Sequence, residues 1–465
     1  MSKTLTADYL VVGTGGMGMA FTDALMTETD ATVIMVDRHA RPGGHWNDAY
    51  PFVRLHQPSN FYGVNSRKLG NDSIDKVGWN QGLYELASGS EVVTYFDQVM
   101  QQQFLPSGRV QYFPMSEYHG EDRFSSLLTG DEQAVAVNKT VDSTYMDVRV
   151  PSVYGPRYPV ADGVQCVPPN DLPKQRSTVA GYVVVGAGKT AMDACLWLLS
   201  NGVDPDRITW IMPRDSWMFD RANIQPPGIP RDTDNTRLIE RDKLPAPTTL
   251  EEMLENSYQT GGLLLFDEEV RPTMWRCATV TKMELAQLRR IKNIVRKGRV
   301  KRITQDTIEL AHGTIATSRL HLHVDCSADG LANRPAVPVF QGNRLVLQSL
   351  RTCQQVFSAA LIGHVEGSYS DDELKNQLCT PVPHPNTILD MLRTNITAIE
   401  NELRWSEDSG LVTWLEEARL YGPKPKESPR LSSDEREQQR AGARKSVEFQ
   451  RQLLVAEEAK LAKNG

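Results

Sequence analysis

Two short apolar runs, each breaking into a glycine cluster and then into helix-patterned sequence, constrain this 465-residue chain more than any other feature. The first is Tyr9-Leu10-Val11-Val12, followed by Gly13-Thr14-Gly15-Gly16-Met17-Gly18. Ala20, Phe21, Ala24 and Leu25 then fall at helical spacing between Met17 and Met26, and another apolar run spans Ala31 to Val36. A continuous apolar strand is buried on both faces, so a β-α-β unit of this kind belongs to a parallel sheet covered by helices. The unit returns about 173 residues later, too far apart for a solenoid repeat, which leaves two nucleotide-binding lobes as the simpler reading. Its second copy runs from Gly181-Tyr182-Val183-Val184-Val185 through Gly186-Ala187-Gly188 and a helix from Thr190 to Ser200 to a strand from Arg207 to Met212.

The first cluster fits G-x-G-x-x-G after a strand and at the opening of a helix, the context that gives the pattern its meaning. Gly13 permits the tight turn, Gly15 with Gly16 beside it lets backbone approach a pyrophosphate, and Gly18 allows close helix–strand packing. The diphosphate then meets free N–H groups and the positive end of the helix dipole. Asp37 ends the next strand, with Arg38 after it, and is placed to accept hydrogen bonds from ribose hydroxyls. The second cluster fits G-x-G-x-x-A through Gly186, Gly188 and Ala191, with Lys189 and Thr190 opening the helix. Lys189 adds positive charge beside a pyrophosphate, or is an ordinary exposed lysine. Pro213-Arg214-Asp215 follows the next strand. The planar fork of Arg214 matches a 2′-phosphate and favours NADPH, while Asp215 keeps NADH open.

Beyond the second strand, Gly43-Gly44-His45-Trp46 and Tyr50-Pro51-Phe52-Val53-Arg54 resemble the Gly-Gly-x-Trp and Tyr-Pro-x-x-Arg segment of class B flavoprotein monooxygenases, the flavin-containing and Baeyer–Villiger types. The resemblance implies FAD in the first site, with this loop along the flavin, and NADPH in the second. Paired glycines suit close approach to a flat ligand, and Trp46 offers an apolar face with a donor tip; core packing is the alternative for Trp46. Leu55-His56-Gln57 stands where Baeyer–Villiger enzymes carry an acidic residue soon after the arginine. Arg54, His56 and Gln57 are the candidate catalytic residues, the latter two as hydrogen-bonding groups for flavin edges or a peroxide. Ser327 and Gln348, in a stretch that resembles the return to the FAD lobe, are candidate flavin contacts. Two family features are missing: Tyr158 to Pro169 lacks the histidine of the Phe-x-Gly-x-x-x-His fingerprint, and the Ala-Thr-Gly linker is absent.

Composition narrows the class. With 51 Lys+Arg against 58 Asp+Glu and a net charge of −7, there is no basic excess for nucleic acid. The six cysteines lie far apart without metal spacing, so neither a disulfide framework nor a metal site is expected. The first of them is Cys166, so the redox cysteine pair of flavin disulfide reductases has no counterpart in the first lobe. Too few residues precede the first strand for a secretory signal, and no apolar stretch approaches the roughly 18 residues of a spanning helix, so a cytoplasmic protein without a membrane partner is expected.

The expected fold is α/β: two Rossmann-like dinucleotide-binding domains, for FAD and NAD(P), plus a helical C-terminal extension. The expected segments are 1–175 for FAD, 176–320 for NAD(P), 321–383 for the return to the FAD domain, and 384–465 for the extension. Within them, the Pro-rich stretch 213–250 is a candidate substrate or lid region, and Ser432 to Lys463 reads as an exposed or frayed helix. The expected activity is that of an FAD-dependent, NAD(P)H-using monooxygenase acting on a small molecule with molecular oxygen through a C4a-peroxyflavin. The alternatives are a flavin dehydrogenase or reductase that does not use oxygen, and a non-catalytic nucleotide-binding module. Nothing in the sequence sets the oligomeric state.

Overall fold

A computed structural model of the chain describes residues 4–226, 244–422 and 432–464. Strand β1 (Leu5–Val12), helix α1 (Gly16–Glu28) and β2 (Val33–Val36) form the first unit, and α2 (Gly89–Val99) leads to β3 (Val110–Phe113). A hairpin of β4 (Ser116–Gly120) and β5 (Arg123–Ser126) precedes the long β6 (Glu132–Asp142) and a single-turn α3 (Pro151–Tyr154). The second unit follows as β7 (Gln165–Val167), β8 (Gly181–Val185), α4 (Lys189–Ser200) and β9 (Ile208–Ile211). It continues through β10 (Ser216–Asp220), α5 (Leu250–Gln259), β11 (Leu263–Leu264), β12 (Met274–Val280), α6 (Lys282–Leu288) and β13 (Asn293–Val295). A meander of β14 (Val300–Ile303), β15 (Thr307–Leu310) and β16 (Gly313–Ala316) then leads to β17 (His321–Asp325). The chain closes with β18 (Phe340–Gln341), β19 (Arg344–Val346), α7 (Gln355–Ser368), α8 (Asp372–Leu378), α9 (Ile388–Glu407), α10 (Ser409–Glu417) and α11 (Ser433–Asn464).

The parallel strands of the first sheet lie in the order β3-β2-β1-β6-β19. In chain order that is 3-2-1-4-5, the doubly wound pattern, whose strand order reverses between β1 and β6. The second sheet, β13-β9-β8-β17-β7, is parallel throughout and reverses between β8 and β17. Ligands of such sheets bind beyond the carboxyl ends of the strands at the reversal. Both reversals fall on the glycine clusters.

One segment lies elsewhere than expected. The stretch from residue 321 was to return to the first lobe, but β17 pairs with β8 along its length, His323 opposite Val183. The return comes with β18 and β19, the latter parallel to β6. A run of apolar residues marks a buried parallel strand without marking its sheet.

Helices α1 and α7 cross one face of the first sheet through Phe21, Leu25, Phe357 and Leu361. They approach so closely that a Cβ on Gly363 would lie 2.7 Å from the Phe21 carbonyl. A second core joins α4 to Trp210 and Val324, and a third packs Trp217 and Trp275 against α5, α9 and α11. The last helix is therefore not simply exposed or frayed, since Val447 and Leu453 are buried. Residues 227–243 of the expected lid stretch lie outside the described residues. Contrary to the cysteine spacing, Cys277 and Cys353 form a disulfide across 76 positions, because the fold brings together segments that the sequence separates. No helix among the described residues is long and apolar enough to cross a membrane.

Candidate functional site

At the first reversal the Gly13 N–H donates to Val36 O at 2.8 Å, and the Ser143 hydroxyl lies 2.7 Å from the carbonyl oxygens of both Val12 and Gly13. Gly13 has φ +95°, and a Cβ on Gly18 would run into its carbonyl oxygen. Gly15 caps α1 without any side-chain hydrogen bond, so the free N–H groups of the first turn are not covered by a capping side chain. The Gly43-Gly44 loop is layered directly on this turn: Gly43 N–H donates to Thr14 O at 2.9 Å, and a Cβ on Gly44 would lie 2.9 Å from Gly15 Cα. Trp46 Nε1 donates to Tyr62 OH at 2.8 Å, and that hydroxyl lies 2.7 Å from where a Cβ on Gly16 would stand. Gly13, Gly15, Gly16, Gly18, Gly44 and Trp46 thus converge on one helix start.

Asp37, 6% exposed, organises the same turn. One carboxylate oxygen accepts from the Thr14 N–H and hydroxyl, and the other from the His39 N–H at 2.8 Å and Nδ1 at 2.9 Å. Burial raises its pKa, but the bonds from His39 and Thr14 outweigh that and hold it below the usual carboxylate range. A carboxylate has about four acceptor positions, so a ribose hydroxyl would have to share or displace one of these donors. His39 also reaches Asp48 Oδ2 at 2.8 Å. The bond to Asp37, opposed by burial and aided by Asp48, pushes His39 up to about 9. Arg38 is exposed and faces Glu117 at 3.7 Å, apart from the turn.

At the second reversal a Cβ on Gly186 would lie 2.6 Å from Cys326 O, whereas one on Gly188, the cap of α4, would meet nothing within 4 Å. No side chain caps this helix either. Both helix starts therefore fit a diphosphate, with N–H donors in place and no side chain capping them. Ala191 is fully buried behind the turn. The Lys189 ammonium pairs with Asp193, both side chains 11% exposed. Further out, Arg214 Nη2 lies 3.4 Å from Asn386 Oδ1, and Arg276 Nη2 lies 2.6 Å from the same oxygen. Burial lowers the Arg276 pKa; Asp329 opposes that, and the charges of Arg214, Arg299 and Arg157 lower it further. Asp215 is buried and held by Arg296 at 2.9 and 3.1 Å.

The two starts meet through the loop after β2. Tyr50 OH donates to Asp193 Oδ2 at 2.7 Å, and Phe52 stacks on Trp197 of α4 with ring centroids 5.2 Å apart. His56 is half-buried at this junction; burial, then the charges of Lys189 and Arg221, hold it well below its ordinary pKa, so the ring is neutral near pH 7. Arg221, fully buried, donates to His56 O at 2.9 Å and pairs with Glu284 at 3.0 Å. Gln57 is half-buried beside it. Arg54 lies apart from the junction: it is exposed and donates to Leu86 O at 2.9 Å.

Of the two later candidates for flavin contact, one stands with the second sheet and the other just past β19 of the first. Ser327 follows β17 and donates to Asp325 at 2.6 Å, at the end of the second sheet. Gln348 is buried with both ends of its amide on the Val337 backbone, at 3.1 and 2.8 Å. Sequence reasoning missed His39, Asp48, Tyr62, Arg221, Arg276 and Asn386. Arg276 and Asn386 stand 110 positions apart, so nothing local pairs them.

Two parallel sheets, each with an uncapped glycine-led helix at its strand-order reversal, define a protein of the two-dinucleotide-fold class. No family model matches the chain. It is 55% identical over 421 residues to the uncharacterized protein Rv2000 of Mycobacterium tuberculosis and, to the same extent, to the uncharacterized protein Mb2023 of Mycobacterium bovis. The alignment covers 90% of this chain and 78% of each relative, and the chain belongs to the family of these mycobacterial proteins. Distant likenesses among solved structures include cyclohexanone monooxygenase from Rhodococcus sp. Phi1 bound to NADP+, at 13% identity and TM-score 0.48 over 79% of this chain and 85% of that one. Another is a flavin-containing monooxygenase from Stenotrophomonas maltophilia, at 14% identity and TM-score 0.41 over 76% and 88%.

Proposed function

We propose that this protein is an FAD-dependent, NADPH-using oxidoreductase that oxygenates a small organic substrate with molecular oxygen. The observation that carries the reading is the joining of two uncapped helix starts through Tyr50 and Asp193. The start of α1 would hold the FAD diphosphate, with Gly44 and Trp46 along the flavin side. The start of α4 would hold the nicotinamide dinucleotide. FAD, when bound, supplies the hydride acceptor and the oxygen chemistry. The chain's own residues bind and orient. The neutral His56 ring at the junction can donate or accept a hydrogen bond without carrying charge, and the stacked Phe52 and Trp197 add apolar contact between the lobes. Arg214 and Arg276 offer two guanidinium groups to a 2′-phosphate, while Asp215, already held by Arg296, is not free for a 2′-hydroxyl. That combination supports NADPH over NADH.

The test is the absorbance spectrum of the purified protein, then anaerobic titration with NADPH and NADH and readmission of air. A flavin spectrum bleached by NADPH, with oxygen uptake and an oxygenated product, is expected. Arg214→Ala should weaken NADPH binding about tenfold or more, the scale of a lost charge-assisted hydrogen bond, and leave NADH nearly unchanged. A colourless protein that takes up no FAD would sink the reading. Undiminished turnover without oxygen would remove the oxygenation step from it.

A further inference from the structure

The inserted lobe is tied covalently to the first one at a place where the backbone leaves regular structure. Along β10 and β12, Trp217 pairs with Trp275 but Met218 pairs with Ala278, so Arg276 and Cys277 bulge out of the ladder. Cys277 has φ +54°, a left-handed conformation that a non-glycine residue rarely adopts. Across from it, in the loop between β19 and α7, Thr352 is also left-handed at φ +44°, and the next residue, Cys353, closes the disulfide. β12 is an edge strand of its sheet, and bulges concentrate at such edges and beside functional sites, where they re-aim a side chain.

Exposure separates this pair from three of the other four cysteines, and placement separates it from all four. Cys277 and Cys353 are half-exposed, whereas Cys195, Cys326 and Cys379 are buried. Burial pushes the thiols of all three, and of the half-exposed Cys166, above their ordinary range. The bridge also spans the two candidate sites. Val356, three residues past Cys353, would lie 3.1 Å from a Cβ on Gly16 at the start of α1. Arg276, the residue before Cys277, holds Asn386 beside Arg214.

We propose that Cys277–Cys353 is a reversible thiol–disulfide exchange site with a dithiol as its reductant, and that its state determines whether the β12 bulge is fastened to the loop before α7. One thiolate of the dithiol attacks a cysteine sulfur, forming a mixed disulfide and expelling the other cysteine as a thiolate. The second thiol of the reductant then displaces the remaining cysteine. The reductant leaves as a disulfide, and both cysteines end as thiols, carrying the two protons of the original dithiol. Nothing in this exchange draws on the flavin reading, and neither does its test.

The experiment counts alkylated cysteines by mass on the full chain. Of six cysteines, four should label after denaturation of the untreated protein. After native treatment with dithiothreitol all six should label, the two new sites mapping to Cys277 and Cys353, and reoxidation with oxidised dithiothreitol should return the count to four. Six labels without reductant, or four after native reduction, would overturn the proposal. Cys277→Ser should show five labels in either state, and a bridge that re-forms from Cys353 to another cysteine would equally overturn it. Hydrogen exchange supplies the conformational half: reduction should speed exchange at 274–279 and 350–355, and unchanged exchange there would refute the fastening role.

Discussion

His39 sits between two carboxylates, and its protonation makes the fold sensitive to pH. Its folded pKa of about 9 lies above the roughly 6.5 of an unfolded histidine. A raised histidine pKa contributes stability that is fully present below pH 6.5 and is lost as pH rises through 9. The side chain is 30% exposed, so solvent discounts the gain to about 1–2 kcal/mol. The depressed Asp37 pKa describes the same contact from the other side and is not a second contribution. The melting temperature should therefore decline between pH 6.5 and 9.5, and His39→Gln should flatten that decline. Proton NMR of His39 checks it directly; titration near 6.5 would mean that the clamp is absent. Asp37 was legible in the sequence because its distance from Gly18 is fixed by one helix and one strand. His39 and Asp48 were not, because their meeting depends on how an irregular loop folds back.

At the scale of elements, the periodic apolar positions of α9 were readable, but what the extension does beyond them was not. After α10 the chain returns to the first lobe, and Arg419 inserts a buried guanidinium that donates to the carbonyls of Asn60, Tyr62 and Val64. Burial holds its pKa below the usual arginine range. That loop carries Tyr62, whose hydroxyl supports Trp46 and borders Gly16. Arg419→Ala leaves three carbonyls without their donor and should cost about 2–4 kcal/mol, read from denaturant midpoints, with Arg419→Lys intermediate. Under the proposed function, the same variant should retain flavin less firmly. A loss below about 1 kcal/mol would show that water replaces the guanidinium without consequence. An arginine beyond a helix end gives no sequence sign of this clamp, since its partners are carbonyls that every residue possesses.

For the whole molecule, the two lobes were legible because each glycine turn is a local device, complete within one β-α-β unit. Contacts between lobes were not: the sheet that β17 joins, the Cys277–Cys353 bridge and the Arg276–Asn386 pair all depend on global topology. Tyr50 belongs to that second kind, and its variant tests whether the lobe contact serves the reaction. Burial, then Asp193, keeps its phenol protonated, so it remains a donor across the working pH range. Tyr50→Phe removes one hydrogen bond, about 1 kcal/mol net, but leaves Phe52 stacked on Trp197 to hold the lobes together. Stability should then change little and, under the proposed function, so should flavin content. Asp193, held by Lys189 alone, no longer registers the start of α4 against the first lobe, and misplacement by a fraction of an ångström is costly for transfer between two bound ligands. Under the proposed function, the rate of flavin reduction by NADPH in anaerobic stopped flow should fall about tenfold, a change of about 1.4 kcal/mol. An unchanged rate accompanied by lower stability would make Tyr50 a packing contact, and the alignment of the two sites would have to rest on Phe52 and Trp197.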